Sequence, residues 1–314
     1  MRFFLLLCVS ALYLFANAHI FLYHRFGDER YPSTSVSESE LRKQFGYLKD
    51  NGYEVVPLER IVAKINAGEH VPEHWVALTI DDGYKSFSQN GLEVFKEFGY
   101  PFTMFVYVEA AEKKYPDFMD WDELKALTQS GGTLEFHSYS HSHTAKFDEQ
   151  KLKEDFEKGL KLFKKHLDIT PKYFSYPYGE FNENVKNIAL SFGFDAIFNQ
   201  NSGAVDAKSN IYDLDRSALV GVSDIKKLLE QKTLQAEWLA PISFPTNGIL
   251  NKVSAKITTN ATKAKLYVTD MGWRDVTING GVIDEEINYK LTNERTRVIL
   301  KIGNQISTKM LAKE

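Results

Sequence analysis

The sequence predicts an α/β fold in which a barrel of parallel strands and helices is followed by a small antiparallel β domain. Short apolar runs alternate with amphipathic segments of helical period up to about residue 236, which is typical of repeating strand–helix units. From about residue 240 the pattern changes to alternating apolar residues separated by turn signals. The two patterns together predict domains at residues 19–236 and 240–314.

The elements of the first domain follow from these runs. Strands are predicted at residues 20–23, 75–80, 102–108, 133–136, 173–176 and 196–198. Helices are predicted at residues 38–50, 58–67, 88–98, 122–129, 149–166, 184–191 and 223–231. Several of these helices are followed by a glycine, which is the residue expected at a helix C-terminus. Strands that each precede a helix pair in parallel, and six or seven such units predict a closed or nearly closed barrel.

The second domain is predicted from period-two alternation alone. Apolar residues alternate with polar ones at residues 253–257, 264–268, 287–291 and 298–302, and the turn sequence Asn279-Gly280-Gly281 lies among them. This spacing predicts a small antiparallel domain resembling a sandwich, and a linker at residues 241–247 precedes it. No chemistry is predicted for this domain.

Residues 1–18 have the three parts of a secretory signal. Arg2 is the short positive region, residues 3–15 are the apolar run, and Ala16-Asn17-Ala18 is a small-x-small cleavage site. We therefore expect a mature chain that begins near His19 and has no stable membrane span, because the run is shorter than the ~20 residues that cross a bilayer. Export across the inner membrane to the periplasm or the cell surface is the expected localisation.

Composition excludes several classes of function. Cys8 is the only cysteine, so cleavage leaves a chain without disulfides, thiolate ligands or a cysteine nucleophile. The net charge of −4 and the lack of a basic tract argue against nucleic acid as a partner, because phosphate binding needs clustered Lys and Arg.

Two polar groups follow predicted strands, where ligands bind in parallel α/β folds. Asp81 and Asp82 follow the strand at 75–80, although Asp-Asp-Gly is also an ordinary turn and helix N-cap. His137 and His141 follow the strand at 133–136. Four residues apart, they are expected on one face of a helical turn, where both imidazoles meet one ion; two surface histidines are the alternative. Two imidazoles with one carboxylate form a common Zn²⁺ set, so the combination predicts a metal hydrolase.

Three segments resemble the first three motifs of the polysaccharide deacetylases, the NodB-homology group of carbohydrate esterases. They are TIDDG at residues 79–83, HSYSH at 137–141 and YPYG at 176–179, in the family's order, and the resemblance covers about residues 20–231. Residues 23–25, 33–36 and 174–179 look most like the branch of poly-N-acetylglucosamine deacetylases. The resemblance implies a distorted (β/α) barrel and hydrolysis of N-acetyl groups on an amino-sugar polysaccharide, either a poly-N-acetylglucosamine exopolysaccharide or the peptidoglycan glycan.

Family resemblance also implies the roles of the site residues. Asp82, His137 and His141 would bind a divalent metal ion, with Zn²⁺ expected and other transition ions possible. Asp81 would be the general base on a metal-bound water, and the backbone N–H of Tyr178 would hold the tetrahedral oxyanion.

The sequence departs from the family at two places. Ser175 stands where the third motif usually has an arginine that orients the base, and no histidine after His166 can supply the family's late acid. We expect His24, at the end of the first strand, to be the acid; a packing or capping histidine is the alternative. Arg216 is the candidate for the arginine, with an ion pair to Asp213 or Asp215 as the alternative. These gaps keep two other functions open: a polysaccharide-binding protein without turnover, and a hydrolase of esters or non-sugar amides.

Overall fold

The structure is a computed structural model that describes residues 17–313. The predicted signal at residues 1–18 therefore lies outside the described residues except for its last two positions. Ala18 forms an antiparallel bridge with Val205, with both N–H···O distances at 2.9 Å, and Asn17 Oδ1 accepts a hydrogen bond from the amide of Thr233. Cleavage after Ala18 would remove both of these contacts.

The first region is built on a parallel sheet. Its strands are β1 (His19–Tyr23), β2 (Arg25–Phe26), β3 (Ser35–Val36), β4 (Glu54–Val55), β5 (Trp75–Asp82), β6 (Phe102–Val106), β7 (Gly132–Phe136), β8 (Tyr173–Ser175), β9 (Ala196–Phe198) and β10 (Ser217–Ala218). The order across the main sheet is β10-β1-β5-β6-β7-β8-β9, with β4 also pairing with β5, and β2 pairs with β3 separately. The residue Leu214 forms a parallel bridge with Phe198 of β9, while β10 pairs with β1. The sheet therefore curves into a nearly closed barrel.

Helices surround this sheet. They are α1 (Glu38–Asp50), α2 (Leu58–Asn66), α3 (Leu92–Phe98), α4 (Val108–Glu112), α5 (Trp121–Leu127), α6 (Glu149–Leu167), α7 (Glu183–Ser191) and α8 (Ile225–Leu229). Local capping explains several of the starts: the side chains of Ser37, Asp148 and Asn182 each accept an amide of the first turn, and Asp120 forms a capping box with Glu123. The predicted helices are observed, with shifts at their ends.

One predicted helix begins later than expected. Residues 88–98 were expected to be a single helix, but residues Phe87–Gly91 form a π-helical turn and α3 starts at Leu92. A Cβ at Gly91 would lie 2.9 Å from the ring of Phe26, so the close approach of β2 requires glycine there. The π-helical turn therefore ends at a glycine that packs closely against β2.

Alternation along the strands separates two cores. Phe21 and Leu78 pack with the helices, whereas Ile20, Ala77 and Phe105 point into the barrel and pack with α2. Because side chains alternate across a strand, Asp81 continues the inward row of β5. The strand pattern thus delivers the functional side chains to the barrel interior.

The second region is an antiparallel sandwich. Its strands are β11 (Lys232–Thr233), β12 (Ala236–Ala240), β13 (Ile249–Ile257), β14 (Lys263–Val268), β15 (Gly272–Thr277), β16 (Val282–Lys290), β17 (Arg295–Ile302) and β18 (Gln305–Ala312). They form sheets of order β11-β18-β17-β14-β15 and β12-β13-β16 around one shared apolar core. Because β11 and β12 belong to these sheets, the region begins at Lys232, ahead of the expected start at 240. Across residues 17–313, no helix has the length and apolarity to cross a membrane.

Candidate active site

The carboxyl end of β5 presents two adjacent carboxylates. Asp81 is fully buried and Asp82 is 5% exposed. Asp82 has φ 74° and Gly83 has φ 85°, so the chain turns sharply through two left-handed residues directly after Asp81. Left-handed backbone is rare for residues other than glycine and is often held at functional sites. The turn places both carboxylates at the mouth of the barrel.

The histidine segment after β7 is not helical, so the predicted helical turn is wrong. Ser138 has φ 65° and His141 has φ 47°, which fold residues 137–141 into a tight irregular loop. The hydroxyl of Ser138 accepts the amide of His141 at 2.9 Å. The carboxylate of Asp155 on α6 accepts the amides of Tyr139 and Ser140, each at 2.9 Å. Side-chain acceptors replace helical hydrogen bonds, and the loop still brings the two imidazoles together.

Asp82, His137 and His141 form a compact cluster whose ligand atoms all lie within 4.8 Å of one another. Asp82 Oδ1 is 3.4 Å from His137 Nε2 and 2.9 Å from His141 Nε2. Among the described residues, Asp82 Oδ1 and His137 Nε2 are buried without a well-aligned hydrogen-bond partner. Buried polar atoms that converge without partners are costly unless something binds between them. This cluster could therefore hold a metal ion.

Neighbouring groups prepare the cluster electrostatically. His137 Nδ1 lies 2.8 Å from the carbonyl of Ser175, so the proton belongs on Nδ1 and Nε2 is free to act as a ligand. Burial raises the pKa of Asp82, but the two histidines outweigh it and hold that pKa well below its usual value. Asp82 is therefore a carboxylate at neutral pH.

Arg216 is the main partner of Asp81. Its guanidinium is fully buried and donates to both carboxylate oxygens of Asp81, at 2.7 and 2.8 Å. It also donates to the hydroxyls of Ser175 (2.6 Å) and Thr79 (3.1 Å) and to the carbonyl of Asn199 (2.9 Å). Every direction of the guanidinium is occupied, so Arg216 fixes the orientation of Asp81.

The arginine also governs the charge of Asp81. Burial pushes the pKa of Asp81 upward, but the charge of Arg216, helped by His137, holds it below its usual value. His137 Nε2 is 3.7 Å from Asp81 Oδ2, so the carboxylate borders the cluster of Asp82, His137 and His141 without belonging to it. Asp213 and Asp215, the expected alternative partners of Arg216, instead accept hydrogen bonds from the side chain of Asn199.

His24 follows β1 and faces the same cluster. Its Nδ1 is buried and lacks a hydrogen-bond partner within the described part of the chain. Burial lowers the pKa of His24, and the charges of Asp82 and Asp81 oppose that effect. The charges of both aspartates therefore act on this histidine, and its role as the acid stays a prediction.

Tyr178 lies beside the cluster in the turn Pro177–Gly179. It has φ 60°, and its ring lies 4.6 Å from that of His141, centre to centre. The turn is closed by hydrogen bonds from Gly179 N–H to Tyr176 O and from Glu180 N–H to Pro177 O. The amide of Tyr178 is therefore not one of the groups that close the turn.

Three side chains that support the site were given no role from the sequence. Asp155 lies on a helix and acts through loop amides, while Thr79 and Ser175 act through the guanidinium of Arg216. Inward alternation along β5 and β8 could have identified Thr79 and Ser175, but it could not have indicated which side chain they bind.

Comparisons with known proteins find relatives of this chain. Residues 68–197 match the family model described as polysaccharide deacetylase. The poly-β-1,6-N-acetyl-D-glucosamine N-deacetylase of Escherichia coli K12 is 24% identical over 245 residues, which cover 65% of this chain. The peptidoglycan-N-acetylglucosamine deacetylase of Bacillus cereus is 32% identical over 110 residues, or 35% of this chain. The chain spans only 36% and 38% of the length of these relatives.

A solved structure supports the fold. The protein IcaB from Ammonifex degensii superposes with a TM-score of 0.58 and 25% identity, over 65% of this chain and 92% of that chain. The predicted fold class, a distorted deacetylase-type barrel followed by an antiparallel β region, is confirmed. The predicted family resemblance is confirmed as well.

Proposed function

We propose that this chain, which belongs to the polysaccharide deacetylase family through residues 68–197, hydrolyses N-acetyl groups on an amino-sugar polysaccharide in a metal-dependent reaction. The observation that supports this most directly is the separation of two roles. Asp81 is paired with Arg216 and is not part of the histidine cluster. Asp82, beside it, converges with the two histidines. A base and a metal cradle are thus present side by side.

The cradle fits a divalent ion by its donor set and by its buried atoms without partners. Asp82, His137 and His141 would hold the ion, and two imidazoles with a carboxylate favour Zn²⁺, although other transition ions accept the same ligands. When bound, such an ion polarises a carbonyl and makes water more acidic.

Asp81 would take the proton from the attacking water. Arg216 keeps the carboxylate ionised and fixes both of its oxygens, so the base is oriented before substrate arrives. The backbone N–H of Tyr178 would donate to the oxygen of the acetyl group as negative charge develops on it.

His24 would protonate the amine as the carbon–nitrogen bond breaks and acetate leaves. Its lowered pKa makes the imidazolium a stronger acid toward the nitrogen but reduces the protonated fraction at neutral pH. Its buried Nδ1 has no hydrogen-bond partner among the described residues, so no structural hydrogen bond holds that atom.

An amino-sugar polymer is the proposed substrate class. Tyr107 and Tyr178 flank His141, with ring centres 5.2 and 4.6 Å away, and half-buried aromatic rings suit the apolar faces of sugars. The curated relatives are named for poly-β-1,6-N-acetylglucosamine and for peptidoglycan N-acetylglucosamine, and we propose one of these polymers. Both are met outside the inner membrane, which agrees with the proposed export to the periplasm or cell surface.

Acetate release from an acetylated β-1,6-glucosamine oligomer tests the proposal, with a peptidoglycan-derived oligomer beside it. Wild-type protein should release acetate in the absence of a metal chelator and none in its presence. The Asp81→Ala variant should bind metal but release no acetate. A wild-type protein that binds metal and polysaccharide yet releases no acetate would be a binding protein. Release from acetyl esters alone would replace the amide substrate with an ester.

A further inference from the structure

We propose that strand β17 of the C-terminal sandwich positions the active-site loops of the barrel, with Arg295 as the positioning residue for Tyr178 and Arg297 as a second anchor. This inference rests on the proposed role of Tyr178 and assigns a function to the C-terminal region, for which the sequence predicted no chemistry. The two residues are called the anchor pair below.

Arg295 reaches directly into the active-site turn. Its Nη1 donates to the carbonyl of Tyr178 at 2.8 Å, across 117 positions of sequence. Its Nε lies 3.9 Å from the carboxylate of Glu180, which in turn lies 2.7 Å from His143 Nδ1. The ring of His143 stacks on that of Tyr178 at 4.5 Å. The main chain of Tyr178 is thus held from the sandwich and its ring from the barrel.

Tyr178 needs such support because its backbone is left-handed. This conformation is strained for a residue other than glycine and persists only where its surroundings impose it. The charge-assisted hydrogen bond from Arg295 fixes the orientation of the Tyr178 carbonyl. The hydrogen bonds from the amides of Gly179 and Glu180 close the turn around Tyr178. Without Arg295, the turn is free to relax toward an unstrained geometry, which moves the Tyr178 amide away from the reacting carbonyl.

Arg297 holds the neighbouring loop. Its Nη2 donates to the carbonyl of Gln200 at 3.1 Å, and the preceding residue, Asn199, accepts the Nε of Arg216 through its own carbonyl. The two loops also touch each other: a Cβ on Gly179 would lie 2.7 Å from the Cβ of Gln200. Arg297 therefore braces both the arginine that orients the base and the turn that carries Tyr178.

The strand supplies rigidity to the anchor pair. Arg295 and Arg297 are two residues apart on β17, so their side chains leave the same face. The intervening Thr296 and the following Val298 are buried in the sandwich, with exposures of 1% and 0%. Sites built on strands are held more accurately than sites built on loops. The packed core of the sandwich thus fixes the positions of Arg295 and Arg297, which bind the two barrel loops.

Full-length variants Arg295→Ala, Arg295→Lys and Arg297→Ala test the inference, with Arg274→Ala as the matched control. Arg274 is also an arginine of the sandwich, but it pairs with Glu285, at 2.9 Å within the same region. Three quantities are measured for each protein: acetate-release kinetics, bound metal per chain, and deuterium uptake of peptides that contain residues 176–181 and 199–201.

We expect Arg295→Ala to lower kcat by about tenfold or more, with KM within about twofold, because misplacement of an oxyanion donor affects the transition state more than binding. Bound metal and the pH profile should be unchanged, since the contacts of Asp81 and Asp82 are untouched. Arg295→Lys should recover part of kcat, because an ammonium can still donate one hydrogen bond. Deuterium uptake should rise at 176–181 in Arg295→Ala and at 199–201 in Arg297→Ala, and at neither in Arg274→Ala.

Wild-type kcat in Arg295→Ala would overturn the positioning role. So would a loss that only follows the fraction of folded, metal-loaded chain, which is the signature of a general destabilisation. If the wild-type chain releases no acetate, the proposed function fails, but deuterium uptake still decides whether β17 holds the loops. Unchanged uptake at both peptides would then reject the anchoring itself.

Discussion

Replacement of Arg216 by methionine tests how the proposed base is controlled. The substitution keeps an unbranched side chain of similar reach but removes the guanidinium and its five hydrogen bonds, including both bonds to Asp81. Asp81 stays fully buried, so desolvation, which raises its pKa, is no longer opposed by Arg216. The pKa of the Asp81 carboxyl should therefore rise in the variant.

The expected magnitudes follow from the same contacts. Removal of one partner of a buried ion pair costs about 3–5 kcal/mol, part of which protonation of Asp81 relieves. The wild-type Asp81 pKa is lowered on folding, so its contribution to stability is lost as pH falls; in the variant the pKa is raised, so stability is lost as pH rises. A protonated base forfeits about 10²-fold or more of the rate at neutral pH.

The assay is kcat/KM for acetate release across pH, with metal content and thermal unfolding measured on the same samples. Arg216→Met should shift the acid limb to higher pH and recover activity there. Arg216→Lys keeps the positive charge but loses the paired hydrogen-bond donors of the guanidinium. Its acid limb should stay at the wild-type pH, and its rate should fall about tenfold. A variant within twofold of wild type at neutral pH, with an unmoved acid limb, would refute the control of Asp81 by Arg216.

Three further predictions use single substitutions. His24→Gln should lower kcat about 100-fold with metal content unchanged, as acetate release and metal analysis would show, and full activity would remove its role as the acid. Asp82→Ala should lose the bound ion, whereas Asp81→Asn should retain the ion and lose at least about 100-fold in kcat; equal metal loss in both would contradict the division of roles. Burial raises the pKa of Glu135 to about 8 despite hydrogen bonds from two backbone amides, so the fold should lose stability as pH rises from about 4.5 to 8, by up to a few kcal/mol. Glu135→Gln should flatten that dependence in denaturant unfolding, and an unchanged slope would show that burial does not govern this carboxyl.

Much of the fold was predictable because the spacing of apolar residues along the chain indicates its strands and helices. Apolar runs located β5 and β9 within two residues at either end, and the helical period located α1 from end to end. Strand β10 was missed because two residues carry no period, yet it closes the barrel beside Arg216. The π-helical turn before α3 was missed because the helical period does not distinguish it from an α-helix.

The parts of the site that depend on particular side-chain types could be predicted from the sequence. The parts that depend on contacts with main-chain groups could not. Paired carboxylates and spaced histidines pointed to the cluster of Asp82, His137 and His141, although the helical turn expected for the two histidines proved to be a loop held by Asp155. The bond from Arg295 to the Tyr178 carbonyl has no sequence signal, because a carbonyl is present at every residue. Only the docking of the sandwich on the barrel reveals it.

The serine in the third motif and the arginine before β10 are best understood as one coupled feature. Ser175 Oγ lies 2.6 Å from Arg216 Nη2 and 3.3 Å from Asp81 Oδ2, so the small side chain occupies the space between the guanidinium and the carboxylate. An arginine at 175 would bring a second buried cation against the first, with one carboxylate between them. The orienting arginine can therefore come from either position but not from both. This coupling explains how the chain departs from the family's third motif while two charge-assisted hydrogen bonds still hold Asp81.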